Sequence, residues 1–175
     1  MPLSLYDAII PGNIQIIGSV SALVDKAEAF CQETGTSEEE IVQARLIEDM
    51  LPFAYQVKSV GEHSIGAIEG VRAGLYSPSL AAPPESFDAL RDVLNSAREA
   101  IEAIDQSEVE GFIGQDMEFS FGDMKIPFTA ENFLLSFAQP NFYFHATTAY
   151  DILRAAGLAI GKGDFLGRLR MKTGG

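Results

Sequence analysis

The sequence predicts an all-α protein, an antiparallel four-helix bundle with a small β-hairpin before the last helix. Three observations carry this. Apolar residues recur at helical spacing through four long segments. The period switches to two in one place, "MEFSFGDMKIPFT" (117–129). One helix cannot bury its own apolar stripe, so four of them with connecting loops must pack on each other.

The first segment runs from Ser4 to Thr34, with Leu5, Ala8, Ile9, Ile16, Val20, Leu23, Val24, Ala27 and Phe30 recurring at helical spacing. Pro11-Gly12 is expected to kink or interrupt it, because proline removes a donor and clashes with the preceding turn. Gly35 is a natural stop. Ser37 followed by Glu40 has the capping-box pattern, which predicts a short helix over Glu38 to Ile47. Pro52 opens a longer helix to Leu75, with Phe53, Val57, Val60, Ile65, Ile68 and Val71 buried and Gly61, Gly66 and Gly70 permitting close helix approach. "YSPSLAAPPES" (76–86) is a loop by its proline and serine content. Ser86 caps a third helix to Ile104. Gly122-Asp123 turns the hairpin, and Thr129 caps a final helix over 130–156 that is kinked near Pro140 and stopped by Gly157. The chain reads as one domain over 1–175, in which 158–175 is an extended tail with Phe165 and Leu166 as anchors.

Composition narrows the function classes. Hydrophobic residues make up 47% and charged residues 21%, the balance of a globular chain. Twelve basic residues face 25 acidic ones, a net charge of −13, which argues against nucleic acid or an anionic membrane as partner. The basic residues near the end (Arg154, Lys162, Arg168, Arg170, Lys172) are too sparse to reverse that. The single cysteine, Cys31, excludes an internal disulfide framework and suits a reducing compartment. The first residues lack a basic stretch ahead of an apolar one, and no apolar run reaches the roughly 18 residues of a membrane span, so a cytoplasmic location is expected.

Two histidines, His63 and His145, are the only ones in the chain, and both sit in apolar surroundings. His145 shares a helix face with Asn141, four residues earlier. Bundles build metal and ligand sites from side chains on facing helices, so these residues can meet in one central pocket. The plain alternative is a pair of core histidines, with His145 donating to Thr148 or Tyr55 and Asn141 serving a backbone group near Pro140. Catalytic signatures such as a nucleophile elbow, a phosphate loop or HExxH do not occur.

"MLPFAYQV" (50–57) before "EHSIGA" (62–67), "FTAENFLLSFAQPNFYFHATTAYDILRAAG" (128–157) and "GKGDFLG" (161–167) resemble the DinB-like (YfiT-like) superfamily of four-helix bundles, and within it a family of unassigned function. The resemblance covers nearly the whole chain. It implies a divalent metal, zinc or nickel, with His63 as the second-helix ligand and His145 as the second histidine of a pair on the last helix. The first histidine of that pair falls on Asn141, whose carboxamide is a weaker donor for such a metal. It implies metal-assisted small-molecule chemistry of a thiol-transfer or isomerisation type, in a homodimer. A different class stays open: a metal-free, non-catalytic bundle that binds a small ligand or forms a dimer.

Overall fold

The computed structural model describes residues 3–172. Helix α1 (Leu5–Thr34) is capped by Ser4, whose hydroxyl accepts from the Asp7 amide, and ends at Gly35 in the left-handed conformation. It runs unbroken through Pro11. The expected interruption is absent, since burial of Ile9, Ile10, Ile16 and Ile17 against the core outweighs one lost helical hydrogen bond. By length and composition α1 could cross a membrane (mean hydropathy 1.3 over its most apolar window), contrary to the reading that no stretch could; half of that window is buried inside the protein.

Helix α2 (Glu38–Val42) is shorter than expected; Ser37 caps it, and the chain turns irregular after Gln43. Pro52 precedes α3 (Phe53–Gly61), which continues through a π-helical turn (Glu62–Gly66) into α4 (Ala67–Ala73). This long helix ends at Gly74, and Leu75–Tyr76 form strand β1 instead of a last helical turn. Helix α5 (Phe87–Glu102) is capped by Ser86, and α6 (Gln106–Gly111) by Asp105.

Strands β2 (Asp116–Phe121) and β3 (Met124–Thr129) form the expected antiparallel hairpin about Gly122-Asp123. β1 adds in parallel to β2, with Tyr76 opposite Phe119, so the element is a three-stranded sheet. Next come α7 (Ala130–Phe133), a second π turn (Leu134–Ala138) and α8 (Gln139–Ala155). The tail is not simply extended. It holds a short helix, α9 (Lys162–Leu166), laid against α1.

The protein is thus mostly helical with a small sheet. α1 packs on α5, and α3 packs on both α5 and α8. Two apolar clusters result, one between those helices and one beneath the sheet around Ile68, Tyr76, Phe119 and Phe133. Glycine marks the tightest approaches. A Cβ on Gly61 would lie 3.1 Å from Val93 of α5, and one on Gly70 would lie 2.9 Å from the Tyr76 side chain. Gly66, expected to share that role, has open space instead.

Candidate functional site

The two helices that carry the histidines are also the two that carry π turns. His63 lies inside the first π turn, and the second ends seven residues before His145. Each π turn inserts one residue into an α-helical ladder, which advances the following side chains by about 100° around the axis. With that geometry the imidazoles of His63 and His145 face each other, centroids 5.3 Å apart and planes within 11°.

His145 has a fixed proton. Its Nδ1 lies 2.8 Å from Oε1 of Gln56, whose own Nε2 donates to the Leu51 carbonyl at 2.8 Å. A carbonyl only accepts, so the amide orientation is set, and His145 must donate from Nδ1. Its neutral ring therefore keeps the lone pair on Nε2. Gln56 sits two turns before His63 on the same helix, a spacing of seven that places both on one face; the sequence reading passed over it and nominated Thr148 or Tyr55. Thr148 instead donates to the Phe144 carbonyl, and Tyr55 meets His145 edge-on at 6.0 Å.

His63 is 8% exposed, and its Nδ1 is sealed from solvent with no hydrogen-bond partner among the described residues. Its ring lies 5.9 Å from Tyr76 and 6.0 Å from Phe137. Burial, and then the neighbouring His145, push its pKa down to about 4; burial alone does the same to His145. Both rings are neutral at pH 7. Tyr76 is buried too, its hydroxyl is likewise unpartnered, and burial raises its pKa, with Glu62 adding to the effect. A cavity of about 320 Å³, lined by Glu62, Gly66, Gly70, Tyr76, Ser77 and Ser79, adjoins the site from the Tyr76 side; neither histidine lines it. Lys58 braces that wall by pairing with Glu62 at 3.0 Å and donating to the Ala81 carbonyl at 2.8 Å.

Asn141 shares the helix with His145, but its Nδ2 donates to the Phe137 carbonyl at 2.7 Å, within its own helix. Of the three residues nominated from sequence, the structure brings the two histidines together and ties Asn141 to the backbone. No cluster of three His, Cys, Asp or Glu side chains able to hold a metal occurs among the described residues. Gln15 of α1 donates to the Leu166 carbonyl. Of the aromatics near His145, Phe142 is core and Tyr150 meets Phe165, whereas Phe144 is largely exposed and Tyr143 partly so. Burial and nearby acids, Glu38 first, raise the Cys31 thiol, so it is a poor nucleophile.

The mostly helical fold with its small sheet is DinB-like. The crystal structure of a DinB family member protein from Shewanella denitrificans superposes with a TM-score of 0.80 at 25% identity, covering 97% of this chain and 96% of that one. Residues 5–166 match the family described as Domain of unknown function (DUF1993), and the chain belongs to it. Among curated proteins none matches.

Proposed function

We propose that this protein is a small-molecule-binding DinB-like protein, its long helices arranged as an antiparallel four-helix frame, in which His63 and His145 hold a divalent transition metal such as zinc or nickel. The observation that supports this most is the donor set: two facing, neutral imidazoles, one with a buried unpartnered nitrogen and the other with its lone pair fixed on Nε2. Metal-bound histidines usually donate their other N–H to a carboxylate, a backbone carbonyl or water, and the Gln56 carbonyl takes that part for His145. Two imidazoles fit a borderline cation, and Asn141 would join as a weaker oxygen donor after releasing Phe137. Such a cation, when bound, supplies Lewis acidity toward a thiol or carbonyl of the ligand. The chain's own part is to hold His145 in one tautomer through Gln56, to exclude water with Phe137 and Tyr76, and to offer the free Tyr76 hydroxyl to a ligand oxygen.

Elemental mass spectrometry of untagged protein grown with added zinc and nickel tests the reading. Metal approaching one per chain, lost in His63→Ala and in His145→Ala, is expected. Asn141→His, which supplies a third imidazole, should tighten zinc binding at least tenfold, or about 1.4 kcal/mol. Metal below a tenth per chain, together with no saturable zinc binding by calorimetry, would refute the proposal. The second reading, a metal-free pocket, is favoured by one observation, the lack of a third His, Cys, Asp or Glu beside the pair among the described residues.

A further inference from the structure

Away from the histidines, α9 and the residues after it form a strap across α1. Gln15 donates to the Leu166 carbonyl at 2.8 Å, Lys26 pairs with Asp164 at 3.2 Å, and the Phe165 ring meets Tyr150 at 6.1 Å. Gly167 is seated directly on Ser19, with φ +60 and no room for a Cβ. Between strap and helix lies a groove of about 1270 Å³, far larger than the cavity beside the histidines.

The lining has two chemistries. Ile14, Ala22, Leu23, Leu169 and Met171 make it apolar. Lys26, Arg98, Arg168 and Arg170 bring four of the chain's 12 basic residues to it, against Asp164 as the one acid among its 25. Asp164 is already committed to Lys26 and to the Gly161 amide, and Arg98 to Glu102. Arg168 and Arg170 have no ion-pair partner among the described residues, on a protein that carries −13 overall. Two free guanidinium groups beside an apolar trough match a carboxylate with a hydrocarbon tail, the head held by charge-assisted hydrogen bonds and the tail by burial. We infer that the groove between α1 and the C-terminal strap is a binding site for an amphipathic small-molecule carboxylate.

Isothermal calorimetry with octanoate tests this on the full chain. Saturable binding of one octanoate per chain is expected, with octan-1-ol and octylamine at least tenfold weaker. Gly18 lines the groove, and a side chain there meets nothing within 4 Å at its Cβ, so Gly18→Phe should fold and fill the trough. It should abolish binding, Arg168→Gln with Arg170→Gln should weaken it at least tenfold, and His63→Ala should leave it unchanged. The inference is overturned if octanoate does not saturate, if octylamine binds equally well, or if Gly18→Phe binds as wild type does. It is overturned equally if ultracentrifugation shows that Gly18→Phe dissociates a dimer, because the groove is then an interface between copies of the chain.

Discussion

Gly70→Ala sets two known effects against each other. Alanine inside a helix gains roughly 0.5–1 kcal/mol over glycine through backbone entropy. At position 70, however, the new Cβ would lie 2.9 Å from both Cβ and Cδ2 of Tyr76 and 3.3 Å from its Cα, well inside the 3.5–4.0 Å optimum for carbon contacts. Tyr76 has little room to retreat. Its backbone pairs with Phe119, and its ring is packed on Phe133 at 5.2 Å and on His63 at 5.9 Å. Overpacking of a fixed neighbour typically costs about 1–3 kcal/mol. The balance is a net loss of up to about 2.5 kcal/mol, or as much as roughly 10 °C in Tm for a chain of this size. Gly18→Ala is the internal control. It sits in the middle of α1 with nothing within 4 Å of the new Cβ, so only the entropic gain remains and Tm should rise by about 1–4 °C. Urea titration and thermal scans by circular dichroism report both. If Gly70→Ala stabilises the protein as Gly18→Ala does, the tight packing of β1 on α4 is refuted, and with it the positioning of Tyr76 beside His63.

Acid should destabilise the fold through the histidines. Each is held near pKa 4 when folded against about 6.5 unfolded, so the unfolded chain binds protons first. Stability is full above pH 6.5 and falls as pH drops toward 4, by at most about 3 kcal/mol per ring. Urea midpoints across that window should decline less steeply in His63→Gln, and an equal slope would contradict the burial argument. Gln56→Leu removes the acceptor of His145 Nδ1 and should cost about 1–3 kcal/mol. Nitrogen NMR of the ring should then show mixed tautomers where the wild type shows the Nδ1–H form alone; a wild-type Nε2–H signal would refute the assignment. Gly167→Ala should lift the strap, because a Cβ there collides with Ser19. Hydrogen exchange over 161–167 should quicken while the helical signal is unchanged, and unaltered exchange would show that the strap is held without Gly167.

Local chemistry made several elements legible. The caps at Ser37 and Ser86 were expected from residue type alone, and their hydroxyls accept from the Glu40 and Ala89 amides, both at 3.2 Å. The hairpin follows from alternation around Gly122-Asp123, whose glycine takes φ 57. Thr129 occupies the predicted capping position, yet its hydroxyl makes no capping bond, so the position was readable and the interaction was not. Helix α6 could have been found from Asp105, whose carboxylate accepts from the Ser107 amide at 2.7 Å. β1 could not. Two residues, Leu75 and Tyr76, become a strand only because β2, more than 40 residues away, supplies the partners. α9 is likewise short for its own propensity and rests on Asp164, Phe165 and the flank of α1.

The site shows the same division between local and long-range information. Residue type identified His63 and His145 as the pair to watch, but their facing geometry depends on where the helical phase slips. A 3.6-residue period projected through 53–75 or 130–156 runs straight across Glu62–Gly66 and Leu134–Ala138, and every side chain beyond each π turn is then misplaced by about 100°. A π turn lengthens the ladder by one bond and is retained only where tertiary packing repays the lost geometry. Here each slip delivers a ring to the same place, since Phe137 from the second turn lies 6.0 Å from His63 of the first. The same slip ends just before Pro140, whose missing amide donates no bond back into that turn. That register brings His145 to Gln56, and the bond between them sets which ring nitrogen the site can offer.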